Sequence, residues 1–192
     1  MEALDQLRHT IFAVKPLPEE AWQSFAAIWQ PVSFKRKDII TAAGQVENHL
    51  YFVLDGLQRA FCFHGEREAT LVFTYKGSFS GVADSFLLRK PSRYYLEAIT
   101  KSNMLYTHYL QLEKVATEHI SIRELLYTSI CHTFAGVLER QIELQVYSAE
   151  EKFRALLNRS PHILQFIPHK YLASYLGIDA TTFSKLLHSV RL

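Results

Sequence analysis

Hydrophobic positions change their period twice along this chain. Up to residue 30 they recur at helical spacing, with Ala21, Trp22, Phe25, Ala26, Ile28 and Trp29 on one stripe. Pro16 and Pro18 break this region into two helices, and Pro18-Glu19-Glu20 opens the second. From Val32 to Tyr109 short strands take over. Residues 32–35 alternate, 38–41 follow, and Ala43-Gly44 turns the chain. Residues 50–54 are a continuous apolar run ended by the turn dipeptide Asp55-Gly56. Residues 57–63, 69–75, 94–99 and 104–109 complete the set, with turns at His64-Gly65-Glu66 and Lys76-Gly77. Strand signals every ~8–12 residues predict an antiparallel barrel or sandwich.

From Leu110 the period is helical again. Ile122, Leu125, Leu126, Ile130, Phe134, Val137, Leu138 and Ile142 recur every three or four residues, and no proline interrupts residues 110–160. The spacing predicts a helix of about 25 residues or more, suited to packing on the barrel or to pairing with a second copy. Its length beyond the barrel favours pairing, with Leu126 and Ile130 in the seam. Ser148 and Glu151 have the spacing of a capping box and start a further helix through Phe153, Leu156 and Leu157 to Pro161.

The last 25 residues carry the sharpest signal. Leu172, Ala173 and Leu176 form a short apolar face, and Gly177 follows where a sharp turn needs positive φ. Ile178 plugs the turn and Asp179 caps the next helix, whose stripe is Phe183, Leu186, Leu187 and Val190. Two short helices joined by a glycine turn predict a helix-turn-helix, whose second helix enters the DNA major groove. Thr181, Thr182, Ser184 and Lys185 face away from that stripe and are the candidate base-reading side. His169 and Lys170, at the start of the first helix, reach toward backbone phosphates.

Composition adds modest constraints. The 192 residues are 48% apolar and 21% charged, enough for a real core, and the net charge is only +2. From Ser148 on, six Lys or Arg stand against three acids, so this segment carries +3 and the remainder −1. Cys62 and Cys131 make no disulfide framework and read as small buried residues in a reducing cytoplasm. The start is a charged amphipathic helix and not a signal peptide, and no run has the ~18 apolar residues of a membrane span. The expected location is cytoplasmic. Nine scattered histidines show no metal-ligand spacing, and neither a phosphate loop nor a nucleophile motif appears. No catalytic or metal site and no cofactor is expected.

Several runs together resemble the Crp–Fnr family of bacterial transcription regulators, over about residues 20–192. They are Phe34-Lys-Arg-Lys-Asp-Ile-Ile-Thr-Ala-Ala-Gly44, Leu50-Tyr-Phe-Val-Leu-Asp-Gly56, Gly77-Ser-Phe-Ser-Gly81, Ser148-Ala-Glu-Glu-Lys152 and Tyr171-Leu-Ala-Ser-Tyr-Leu-Gly-Ile178. The resemblance implies an α+β fold: an N-terminal antiparallel β-roll of the cyclic-nucleotide-binding type, a long dimerisation helix and a C-terminal winged helix-turn-helix. The expected domains are a sensor at 1–115, the dimerisation helix at 116–147 and the DNA-binding domain at 148–192. Double-stranded DNA, a second copy and RNA polymerase are the implied partners, without a membrane.

Two departures matter. cAMP-binding members carry Gly-Glu in the cassette and, further on, Arg-Ser or Arg-Thr. The glutamate holds the ribose and the arginine pairs with the cyclic phosphate. Here Val82 follows Gly81, and Ser92 stands at the arginine position with Arg93 one residue on. In a strand, a shift of one turns a side chain to the other face. Gly81, Val82, Ser92 and Arg93 are thus the candidate ligand residues of a sensor that does not bind cAMP tightly, its effector unidentified. The recognition helix, Ala180-Thr-Thr-Phe-Ser-Lys185, lacks the Arg-Glu-Thr start of the best-known members, so its target sequence differs. The leading reading is a DNA-binding transcription regulator. A rival keeps the binding module but has it act through a protein partner, the helix-turn-helix only packing. Salt-sensitive DNA binding separates the two.

Overall fold

The N-terminal stripe folds as α1 (Ala3–Val14) and α2 (Glu19–Ala27) in the computed structural model, which describes residues 3–161 and 163–190. Eight strands follow: β1 (Gln30–Phe34), β2 (Ile39–Thr41), β3 (His49–Asp55), β4 (Leu57–His64), β5 (Arg67–Tyr75), β6 (Phe79–Ser80), β7 (Tyr95–Ala98) and β8 (Ser102–His108). They form two four-stranded sheets, ordered β1-β8-β3-β6 and β2-β7-β4-β5. The pairing of β3 with β8 is antiparallel and sets Phe52 opposite Leu105 and Tyr51 opposite Tyr106. A short α3 (Ala83–Leu88) lies between β6 and β7. The helical region comprises α4 (Tyr109–Glu118), α5 (Ile120–Val146), α6 (Ala149–Arg159), α7 (Ile163–Phe166), α8 (His169–Leu176) and α9 (Ala180–Ser189).

The chain divides into two compact units, 1–60 with 73–132 and 61–72 with 133–192. The first is an antiparallel β-roll with helices on one face. The alternation of β3 builds it. Leu50, Phe52 and Leu54 turn toward a core with Leu7, Ile11, Trp22, Phe25, Leu105, Ile122 and Leu125, whereas Tyr51 and Val53 meet Met104, Val32 and Phe34 between the sheets. Each fully buried large side chain of this kind contributes about 1.5–3 kcal/mol. β4 reads as alternating but is buried on both faces from Leu57 to Phe61, because Gln58 meets the Ser102 and Thr74 hydroxyls, Ala60 packs with Val82 and Leu96, and Arg59 pairs at 2.8 Å with Glu97 of β7.

The second unit is built around Phe153, Leu156, Ile163, Ile167, Leu172, Leu176, Phe183 and Leu186. Phe153 and Phe183 meet edge to face at 5.4 Å. The tip of the β4–β5 hairpin belongs to this unit. Ser174 of α8 accepts from the Thr70 N–H at 2.9 Å and donates to the Glu68 carbonyl at 3.2 Å. No strand follows α9 among the described residues, so a wing is not part of the described structure.

Three sequence expectations change. The long helix has the expected length, 27 residues, but begins at Ile120 and not at residue 116, since His119 leaves the helical conformation at φ −126°. Leu126 is packed against the core of the first unit and does not belong to an outward seam, whereas Ile130 is exposed. The cysteines are not both buried. Cys131 is exposed on α5 and Cys62 is half-buried at the outer end of β4.

Candidate nucleic-acid interface and sensor cassette

The turn between α8 and α9 forms as its residues dictate. Gly177 takes φ +66°, and its Cα side lies against Leu144, 3.5 Å from where a Cβ would stand. Asp179 caps α9, accepting from the Thr182 N–H at 2.8 Å and from the Thr182 hydroxyl at 2.6 Å. These bonds, the hydroxyl first, hold the Asp179 pKa below its ordinary value. With Phe183 and Leu186 buried, Thr181, Ser184 and Lys185 are exposed together on the opposite side. Thr182 is half-buried and its donor is spent on Asp179. His169 and Lys170 are exposed at the start of α8. The His169 ring lies 5.5 Å from Phe183, and the Lys170 ammonium lies 4.8 Å from the Tyr171 ring. Neither Lys170 nor Lys185 has a carboxylate partner among the described residues.

Sequence reasoning missed the group that anchors this motif. Glu143, near the end of α5, accepts from Arg140 at 2.7 Å and from both terminal nitrogens of Arg159. Arg140 in turn donates to the Tyr175 carbonyl and lies 4.1 Å over the Tyr175 ring. One carboxylate therefore ties α5 to the end of α6, and through Arg140 to α8. Nothing in the sequence marks it, because Glu and Arg on a helix ordinarily face solvent.

In the first unit, the cassette residues are spread over β6, α3 and the approach to β7. Gly81 has φ +134°, and an added Cβ would stand 3.2 Å from the His49 carbonyl oxygen. Val82 is buried against Ala60 and Leu96. Ser92 is buried, its hydroxyl donating to the Tyr94 carbonyl at 2.8 Å and accepting from the Tyr94 N–H at 2.9 Å. Arg93 is exposed and stacks at 5.7 Å on Tyr94. The structure thus brings Gly81 and Val82 to the inner wall and leaves Arg93 on the outside.

A cavity of about 400 Å³ opens nearby, lined by Ile40, Thr41, Gln45, Glu47, His49 and Tyr51 among others. His49 lies 5.4 Å from His108 and 5.2 Å from Tyr106, ring to ring. Burial lowers the His49 pKa, and His108 adds to this against the opposing pull of Glu47. Burial raises that of Tyr51, with Glu47 adding to it. Among the described residues no cluster of three His, Cys, Asp or Glu is placed to hold a metal ion, and no helix is long and apolar enough to cross a membrane.

No protein-family model and no curated protein matches the sequence. Solved structures do match. FixK2 from Bradyrhizobium japonicum is 18% identical with a TM-score of 0.71, covering 84% of this chain and 83% of that one. The catabolite activator protein of Thermus thermophilus is 22% identical with a TM-score of 0.59, covering 95% and 90%. The c-di-GMP-responsive global regulator CLP of Xanthomonas campestris is 16% identical with a TM-score of 0.65, covering 89% and 90%. At these identities the likeness establishes the fold, which is the one the resemblance implied.

Proposed function

We propose that this protein is a dimeric, DNA-binding transcription regulator whose sensor roll does not take cAMP. The observation that carries the reading is the helix-turn-helix itself. Its core is complete, yet α9 leaves Thr181, Ser184 and Lys185 clear, with Lys170 and His169 exposed on α8. Hydroxyls and an ammonium on one exposed helix face suit base edges and phosphates. The dimer is supported by the apolar face that α5 leaves uncovered, including Ile130, Phe134 and Val137. Two copies of α9 about a two-fold axis enter major grooves ~34 Å apart. Buried Val82 in place of an acid, and buried Ser92 in place of an arginine, support the loss of cAMP recognition. RNA polymerase remains a partner by resemblance alone.

The test is selection from random duplexes with the purified full chain, followed by binding with and without cAMP. Enrichment of a two-fold-related sequence, bound equally in both conditions, is the expected result. Absence of any enriched two-fold sequence, with the dimer intact, favours the rival in which the helix-turn-helix serves a protein partner. Tighter duplex binding in micromolar cAMP removes the claim about the sensor.

A further inference from the structure

The cassette closes on one buried acid that no motif marks. Glu47 lies in the loop between β2 and β3 and is only 2% exposed. All of its polar groups are engaged. One carboxylate oxygen accepts from the Thr41 hydroxyl and from the Val82 N–H at 3.4 Å, and the other from the His49 N–H at 3.0 Å. Its own N–H donates to Ser85 Oγ at 2.9 Å, and its carbonyl oxygen accepts from the Arg89 guanidinium at 2.7 Å. Val82, Ser85 and Arg89 all belong to the cassette segment, and they hold three different groups of this one residue. Ser92 fastens the far end of the segment to the same loop. Its N–H donates to the Gln45 carbonyl at 2.7 Å, and its carbonyl accepts from the Gly44 N–H at 2.8 Å.

A buried carboxylate is costly unless donors meet its oxygens. Here they are met by a hydroxyl and two backbone N–H groups, and by no side-chain cation among the described residues. Neutral donors converging on two oxygens make a seat for an oxyanion, and the protein fills that seat itself. Packing agrees on the Gly81 side, where a Cβ would stand in ordinary contact with the Glu47 carboxylate, at 4.0 Å. Charge agrees as well, because a second anion placed beside Glu47 meets like-charge repulsion with no arginine at Ser92 to offset it.

We propose that Glu47 is the resident ligand of the sensor roll. Its carboxylate occupies the seat that an anionic effector would take and ties the β2–β3 loop to the cassette without a small molecule. The inference rests on reading this roll as a sensor. It carries a regulatory consequence: the β2–β3 loop and the cassette stay fastened without a ligand, and DNA binding needs no anionic effector at the cassette.

Glu47→Ala leaves a carboxylate-sized space lined by the same donors. Thermal unfolding of this full-length variant is measured in sodium acetate and in sodium chloride at equal ionic strength and pH. The expected result is a saturable rise of Tm in acetate for the variant and none for the wild type. Identical Tm values in the two salts at every concentration overturn the proposal. Should the alanine variant fail to fold, Glu47→Gln keeps the shape and removes the charge. Amide exchange at Val82 and His49 is then expected to quicken about tenfold or more, and unchanged protection overturns the proposal. Wild-type protein is expected to bind its selected duplex fully in nucleotide-free buffer. A requirement for an added cyclic nucleotide overturns the inference. Absence of duplex binding under all conditions counts against the proposed function, and the acetate and exchange results still decide the role of Glu47.

Discussion

Glu143 shows how much one side chain settles in the second unit. It is 7% exposed and bonded to two guanidiniums. Burial pushes its pKa up, but the hydrogen bonds from Arg159 and Arg140 outweigh burial, and the net position is below the ordinary 4.5. A carboxylate depressed in the folded state contributes stability that is present above its unfolded pKa. That contribution is lost as pH falls through the folded value. Glu143→Gln is therefore expected to lower stability by about 1–3 kcal/mol at neutral pH. The gap to wild type should shrink as pH drops below about 4.5. Urea unfolding of both proteins at pH 7 and in acid checks this, and an equal gap at both pH values contradicts it. Neither this acid nor Glu47 was legible in the sequence. Each is buried by segments that meet only in the folded chain, residue 143 against 159 and residue 47 against 82–89.

Elements were legible where their signals are local. Gly177 and Asp179 mark the α8–α9 turn, and Ser148 with Glu151 forms a reciprocal capping box at the start of α6. The break at His119 and the short α3 were not, because neither proline nor glycine marks the first and six residues are too few to show a period. The stripe of α5 was legible as apolar but ambiguous in direction. The structure divides it: Ile122, Leu125 and Leu126 go to the core of the β-roll, while Tyr127, Ile130, Phe134, Val137 and Ile142 stay exposed at spacings of three to five. A residue substituted to test the dimer must come from the second set. Phe134→Glu is expected to raise the dimer dissociation constant roughly 100-fold, because an unpaired charge buried at an apolar seam costs several kcal/mol. Leu126→Glu is expected instead to destabilise the roll itself. Sedimentation velocity with thermal unfolding separates these outcomes, and an undiminished dimer in Phe134→Glu removes α5 from the interface.

Across the whole chain, the charge of +2 conceals an arrangement that favours a polyanion at one end. Of the six cations after residue 148, Arg154 pairs with Glu150 and Arg159 with Glu143. Lys170 and Lys185 keep their charge unpaired among the described residues, Lys185 on the same exposed side of α9 as Thr181 and Ser184. The sequence showed the excess of cations but not which were spent internally, since that depends on helix faces and on contacts between helices. Counterion release then makes a quantitative statement. Each cation that neutralises a phosphate steepens the fall of log K with log salt by ~0.9. Replacing Lys170 with alanine is expected to reduce the slope by about one per protomer and to weaken all duplexes alike. Lys185 sits on the exposed side of α9 with Thr181 and Ser184, so its replacement has two distinguishable outcomes. A matching loss of slope assigns it to a phosphate. An unchanged slope with relaxed preference at one base pair, worth about 1–3 kcal/mol, assigns it to a guanine edge. Salt titration of both variants on the selected duplex and on one altered at each position decides between them. If neither variant changes affinity, slope or preference, this face of the helix-turn-helix does not meet DNA.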